Sequence, residues 1–540
     1  MLNPRYATLL YLPRILLTPL LSTGFLIFFP CSRFFGRGHR KKILKFASFD
    51  SIDDAVASFN HMLHMVPPPP IVEMNKVLGA IVKMKHYHTA VSLCTRLEFK
   101  GTLKPSLVTM SMLINCYSHL GQMGFAFSLV GRILKRGFEL DRLTLTTLMK
   151  GLCLKGRTGE ALELHDDLVV KGFRFDEVCY GTLINGLCKT GKIRAAIELL
   201  RKMERIGVGV NLVMYNTVID GLCKDGLVDD ACSLCSEMVV RGISLDIFTY
   251  NSLIHGFCGV GLFQRAVKLL NEMEHGKIQP DVYTFNILID ALCKLGMVTE
   301  AQNVFALMIK RGRKPDVVSY NALINGYCLS NKVTKAEEVF SKIVERGLLP
   351  NVISYSTLIN GYCKIKRVDD ALMLLTEMHK ENLVPDTVTY NCLLDGLSKS
   401  GRDLYERDLV EAMRASGQPP DLITYNILLD DYLKHQYLDK ATALFQHIID
   451  IGISPNIRTY NILIDGLCRS GRLKSAQKIF QLLPTKGCHP NIRTYNIMIN
   501  GLCKEGLIDE AEALLLKMVH NNCPPNVVTF DTILRAILEK

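Results

Sequence analysis

The sequence predicts an all-α solenoid of about thirteen 35-residue helix-turn-helix repeats. Three observations carry the prediction. A fragment close to Thr-Tyr-Asn-x-Leu-Ile recurs down the chain. Its Asn, or the residue replacing it, falls at Asn75, Ser111, Thr146, Gly181, Asn216, Asn251, Asn286, Asn321, Ser356, Asn391, Asn426, Asn461, Asn496 and Asp531; the first step is 36 residues and every later one is 35. Within each period the apolar residues follow helical spacing, and Gly and Pro stand where two helices would end.

The repeat Val282–Asp316 shows the physics of one unit. Phe285, Leu288, Ile289, Leu292 and Cys293 are spaced i, i+3, i+4, i+7 and i+8, one apolar helix face. Gly296 ends that helix by tolerating a left-handed cap. A second helix carries Val298, Ala301, Val304, Phe305 and Met308 on one face; Gly312 caps it and Pro315 prevents its continuation. One such pair cannot bury its own apolar faces, but stacked pairs bury them in a continuous core.

Read in order, residues 51–70 look like the second helix of a degenerate leading repeat. Ile52, Ala55, Phe59 and Leu63 form its stripe and Pro67–Pro70 end it. Thirteen repeats then run from Ile71 to Asn526, followed by a partial repeat at 527–540. No linker interrupts them, so a single superhelical domain is expected. The tenth repeat departs most, placing Asp403, Tyr405, Glu406, Arg407 and Asp408 where the second-helix pattern belongs; a kink or soft spot is expected there.

The chain has 540 residues, 48% of them apolar, 18 Cys and no Trp. Cys on a regular period in an apolar setting reads as reduced, buried thiol. The net charge is +12, but eight Arg or Lys lie within residues 1–45, where there is no acid, leaving about +4 on the remainder. Bulk charge is therefore weak evidence for a nucleic-acid partner, and charge at defined repeat positions must carry that argument. The Arg-bearing, acid-free, Leu- and Phe-rich segment 1–45 has the composition of an organellar transit peptide, mitochondrial with chloroplast as the alternative. A signal-peptide core or a membrane anchor at Ile15–Phe29 competes. That run is short for a span and contains Pro19, so no membrane span is expected.

The pattern Tyr-Asn-x-Leu-Ile-x-Gly-Leu-Cys-Lys-x-Gly, as at Tyr215–Gly226, closely resembles the pentatricopeptide repeat (PPR) consensus. The rival tetratricopeptide repeat has a period of about 34 residues and a Trp-x-x-Leu-Gly pattern that is lacking here. Phe59-Asn60-His61-Met62-Leu63 and Lys83-Met84-Lys85-His86-Tyr87 are similar to the start of plant restorer-of-fertility-like members, organellar proteins that bind mitochondrial transcripts. The resemblance implies a right-handed superhelix that binds single-stranded RNA, with accessory processing proteins as further partners. It also implies a reading rule: positions 5 and 35 of each repeat face one base, and position 2 packs against base planes. Asp at position 35 can accept from the ring N–H of U or G, whereas Asn can donate to the lone pair of C or A. In chain order the pairs are Asn75/Ser106 (C), Ser111/Asp141 (G), Thr146/Asp176 (G) and Gly181/Asn211, which falls outside the rule with A as its nearest reading. Asn216/Asp246, Asn251/Asp281 and Asn286/Asp316 give U, Asn321/Asn351 C, Ser356/Asp386 G and Asn391/Asp421 U; Asn426/Asn456, Asn461/Asn491 and Asn496/Asn526 give C. The implied site is 5′-CGGnUUUCGUCCC-3′.

Position 13 is basic in nine repeats, at Lys83, Lys189, Lys224, Lys294, Lys364, Lys399, Lys434, Arg469 and Lys504. A ladder of cations in phase with the base-reading positions reads as a phosphate track, against the alternative of a solvated helix face. The aromatic at position 4 and the Cys at position 12 sit on the apolar face and read as core. The C-x-x-C at Cys232 and Cys235 has no second ligand pair, and no metal or cofactor is expected. His379-Lys380-Glu381 matches half of a deaminase signature whose P-C-x-x-C half is missing, and no other catalytic constellation is present. The competing readings are a protein-binding scaffold and an enzyme with an unrecognised site. A scaffold has no reason to keep Asp or Asn at position 35 in twelve of thirteen repeats.

Overall fold

The computed structural model describes residues 49, 51–101, 104–402 and 404–538; the leader assigned to 1–45 lies outside them. Regular structure among the described residues is entirely helical, with 28 α-helices and the 3-10 turn Pro484–Lys486. Packing divides the chain into two units, one ending at Gln279 and one beginning at Pro280. Inside each, successive pairs of helices repeat one arrangement. In the second unit Val282–Lys294 packs along the next repeat's first helix, Val317–Leu329, and against its own second helix, Val298–Lys310. The leading helix spans Ile52–His64 and buries Ala55, Phe59, Met62 and Leu63.

After the opening helix Ile71–Lys83, which follows Pro70 without a side-chain cap, each first helix starts where the last side chain of the preceding repeat meets exposed backbone donors. Asp246 is extended (φ −113°, ψ 178°) and accepts the Thr249 N–H, while the Thr249 hydroxyl accepts the Asp246 N–H. The same reciprocal box starts the helices after Asp316, Asn351, Asp421, Asn456 and Asn491. The first helix ends at a left-handed residue, as at Gly296 (φ 79°), and the second at Gly312 (φ 72°). In the twelfth repeat Pro484 stops the second helix at Leu482.

Small residues set the distance between layers. Ala occupies position 20 in twelve of the thirteen repeats; Ala196, Ala231, Ala301 and Ala336 have no exposed surface. Gly256 at position 10 faces Cys223 at position 12 of the preceding repeat, where an added Cβ would stand 2.7 Å from the Cys223 Cβ. The Gly-Leu-Cys pattern is therefore one packing device: a glycine makes room for the previous layer's thiol.

The tenth repeat keeps its second helix, Leu404–Ala415, despite the altered sequence. Glu406 stands at the Ala position and is buried. Asp431 takes the Gly position in the next repeat, also fully buried, and accepts the Ser398 hydroxyl at 2.7 Å, with Ser398 replacing the usual Cys. The irregularity is thus a buried polar substitution spread over two adjacent layers.

Candidate nucleic-acid interface

Positions 5 and 35 meet at the seam between successive first helices. The Asn216 Nδ2 donates to Asp246 Oδ1 at 3.0 Å, Asn286 to Asp316 at 3.1 Å and Asn391 to Asp421 at 3.2 Å. Asn321 donates to Asn351 and Asn496 to Asn526 at 3.2 Å, and Asn75 donates to Ser106 at 3.1 Å. Position 5 does not belong to the apolar stripe that Phe285, Leu288, Ile289, Leu292 and Cys293 define in the sequence. The structure places most of these side chains in the seam instead: Asn216 is 6% exposed and Asn391 8%. The neighbouring first helix covers them, a contact that one helix's periodicity cannot reveal.

The position-35 Asp side chain makes its observed contacts through one atom. Its Oδ1 caps the helix and takes the Asn amide. In Asp246, Asp316 and Asp421 the hydrogen bonds to the side chain all fall on Oδ1 among the described residues. Burial alone would raise the Asp246 carboxyl pKa, but the backbone and hydroxyl of Thr249 and the Asn216 amide outweigh it and hold the pKa below the usual value. The same balance holds for Asp421 with Thr424 and Asn391. These groups are anionic acceptors at neutral pH. Asp141, Asp176, Asp281 and Asp386 cap their helices through the same atom.

Position 2 forms an exposed row beside this seam. It is apolar in most repeats, as at Val213, Phe248, Tyr283, Val318 and Ile353, each at least half exposed. It becomes Arg458 and Arg493 in the last two full repeats, where both line a groove with Asn426, Asn461 and Asn491. An exposed apolar row flanking ordered hydrogen-bonding groups suits flat, polar-edged ligands.

The nine position-13 cations divide into two sets. Lys224 pairs with Asp220 at 2.6 Å, Lys294 with Asp290 at 2.6 Å, Lys399 with Asp395 at 2.5 Å and Lys434 with Asp430 at 2.5 Å; Arg469 pairs with Asp465. Each partner lies one helical turn earlier, at position 9. Lys83, Lys189, Lys364 and Lys504 have no such carboxylate among the described residues and are exposed. Reading the cations alone missed those acids, although the i, i+4 spacing is visible in the sequence.

Most position-4 aromatics and position-12 thiols are buried, with Tyr250, Tyr460, Cys188 and Cys503 partly covered. Tyr215, Phe285, Tyr390 and Tyr495 at position 4 are among the largest fully buried side chains. Burial pushes the thiols of Cys223, Cys293 and Cys363 up to about 12, so they stay protonated. The His379 Nδ1 lies 2.7 Å from the Leu375 carbonyl oxygen within its own helix, and no metal-holding group of three His, Cys, Asp or Glu occurs among the described residues. No helix among those residues is long and apolar enough to cross a membrane.

The PPR repeat family matches residues 105–154, 210–259, 245–294, 284–328, 315–364, 350–399, 420–469, 455–504 and 494–539, with further PPR repeat matches at 171–204, 143–173 and 388–418. A putative mitochondrial pentatricopeptide repeat-containing protein of Arabidopsis thaliana is 37% identical over 103 residues, 19% of this chain and 17% of that protein. A second mitochondrial member from the same plant is 37% identical over 87 residues, 16% of this chain and 14% of its own length. The matched segments thus span about a sixth of those relatives. The crystal structure of the maize pentatricopeptide repeat protein PPR10 shares the fold, with a TM-score of 0.51 at 24% identity over 90% of this chain and 79% of that one. With family matches covering more than half of the sequence, the chain belongs to the pentatricopeptide repeat family.

Proposed function

We propose that this protein binds single-stranded RNA sequence-specifically, one base per repeat. We read it as a non-catalytic partner of a mitochondrial transcript, controlling processing, stability or translation. The observation that carries the reading is the two-atom division at position 35. One oxygen is committed to the fold, which fixes the side chain, and the second atom is left to differ between Asp and Asn. A ladder of fixed groups alternating between acceptor and donor character is a means of telling ring N–H from ring lone pair. The apolar row at position 2 supplies faces for bases, and the free cations at position 13 supply phosphate contacts. Family membership supports RNA as the ligand, and the composition of the leader and the mitochondrial relatives support the compartment.

The test is selection on randomised RNA with the wild type and Asp421→Asn. Asn caps the helix as Asp does, so the fold should hold. Preference at the nucleotide facing the tenth repeat should move from U toward C by ~1 kcal/mol, the scale of one lost hydrogen bond. Uniform weakening with an unchanged motif would assign Asp421 to the fold alone. A protein that selects no motif, but retains partner proteins through the position-2 row, would be the scaffold of the competing reading.

A further inference from the structure

The base-reading unit has a third member. In at least five repeats a buried hydroxyl at position 3 of the following repeat donates to the Oδ1 of the position-5 Asn. Thr109 reaches Asn75 at 2.8 Å, Thr249 reaches Asn216 at 2.6 Å and Ser319 reaches Asn286 at 2.5 Å; Thr424 reaches Asn391 and Thr529 reaches Asn496 at 2.7 Å. Where position 5 is Ser the hydroxyls also meet, Ser111 with Thr144 at 3.1 Å and Ser356 with Thr389. Thr109, Thr249, Ser319 and Thr424 have no exposed surface.

An Asn amide turned through half a circle exchanges its donor for its acceptor with almost no change in shape. Polarity must therefore be set by partners. An Asp at position 35 demands the donor end of the amide, whereas a Ser or Asn there can meet either end; the position-3 hydroxyl marks the opposite end as the acceptor, so the two partners agree on one polarity. Three repeats lack this device. Ser354, Thr459 and Thr494 reach only the Oδ1 of Asn351, Asn456 and Asn491, an atom that Thr249, Ser319, Thr424 and Thr529 also approach at position 35, and the buried Oδ1 atoms of Asn321, Asn426 and Asn461 are left without a partner.

The fourth repeat replaces both members. Position 5 is Gly181 and position 3 of the next repeat is Met214, buried, with its Cε 3.6 Å from where a Gly181 Cβ would stand. The thioether thus fills the space of the missing side chain. Asn211 is occupied as well: its Oδ1 accepts the Met214 N–H at 3.1 Å and its Nδ2 donates to Glu177 at 3.3 Å.

We propose that the position-3 hydroxyl is a positioning residue that sets the polarity of the position-5 Asn and so governs base choice, and that the fourth repeat, where Met214 takes its place, is blind to base identity. The proposal rests on the one-base-per-repeat reading.

The experiment is selection on randomised RNA with Thr249→Val, Thr249→Ser, Thr494→Val, Gly181→Asn and the double variant Gly181→Asn/Met214→Thr, with thermal denaturation of each. Thr249 and Thr494 belong to equivalent capping boxes, so a purely structural role would treat their Val variants alike. Thr249→Val should reduce discrimination about three- to tenfold at the nucleotide facing the fifth repeat alone, the worth of one hydrogen bond. Thr249→Ser should restore it, and Thr494→Val should leave the twelfth position unchanged. The wild type should show no preference at the fourth nucleotide; the double variant should gain a pyrimidine preference there that Gly181→Asn alone does not. Unchanged discrimination in Thr249→Val, equal loss in both Val variants, or a wild-type preference at the fourth nucleotide would overturn the proposal. A wild type that selects no motif at all would instead overturn the RNA-reading function beneath it.

Discussion

The salt dependence of RNA binding follows from how the position-13 cations are partnered. Each phosphate neutralised on a single strand contributes a slope of about −0.7 to log affinity against log salt. Nine cations in phase would give roughly −6. Five of the nine are already paired to an Asp one turn earlier, so they release no net counterion unless that pair opens. The four free cations give about −3. Converting Asp220, Asp290 and Asp395 together to Asn frees Lys224, Lys294 and Lys399 and should steepen the slope to about −5. Exposed i, i+4 pairs contribute only about 0.3–0.5 kcal/mol each, so the variant should remain folded. Fluorescence anisotropy with a labelled 13-nucleotide RNA, 5′-CGGUUUUCGUCCC-3′ as implied by the repeat order, titrated across a range of potassium chloride, measures both slopes. A wild-type slope near −6 would show that phosphate opens the pairs freely, and one near zero would remove the phosphate track. Identical slopes for variant and wild type would refute the assignment of the Asp residues as the neutralising partners.

Gly256→Ala should lower stability by about 1–3 kcal/mol in chemical denaturation, because the added methyl meets Cys223 in the preceding layer; an unchanged midpoint would mean that the layers part easily. His165 is fully buried against Phe175 and Tyr180, and burial lowers its pKa from 6.5 despite the adjacent Asp166. The unfolded chain therefore takes up a proton near pH 6.5 that the folded chain resists, so this contribution is complete above that pH and is lost as pH falls below it. Melting temperature should accordingly decline below pH 6.5 less steeply for His165→Gln than for the wild type. A fluorescent fusion of residues 1–45 should enter mitochondria; delivery to the secretory pathway would reverse the reading of the leader.

Much of this protein is legible without coordinates because a solenoid is a local structure. Each period contains its own helix starts, stops and apolar faces, and its contacts lie one or two repeats away in sequence. The period, the two helices per repeat, the burial of Tyr215 and Cys293 and the left-handed ends at Gly296 and Gly312 all follow from spacing and residue type. The tenth repeat shows where that legibility stops. Glu406 breaks the pattern inside one repeat, but only the stacking of adjacent layers sets it in one cavity with Asp431, the acid that accepts the Ser398 hydroxyl.

The sequence by itself determined the 35-residue period and which residue types occupy positions 5, 13 and 35. Periodicity reports which face of a helix a side chain occupies, not what the neighbouring helix places against it. Only the tertiary structure decided that Asn216 lies buried in the seam, that the Thr249 hydroxyl reaches its amide oxygen, that Met214 fills the gap beside Gly181 and that one oxygen of Asp246 takes the Asn216 amide. Each of these depends on contacts between residues of different helices some thirty positions apart, at distances where a hydrogen bond either forms or does not.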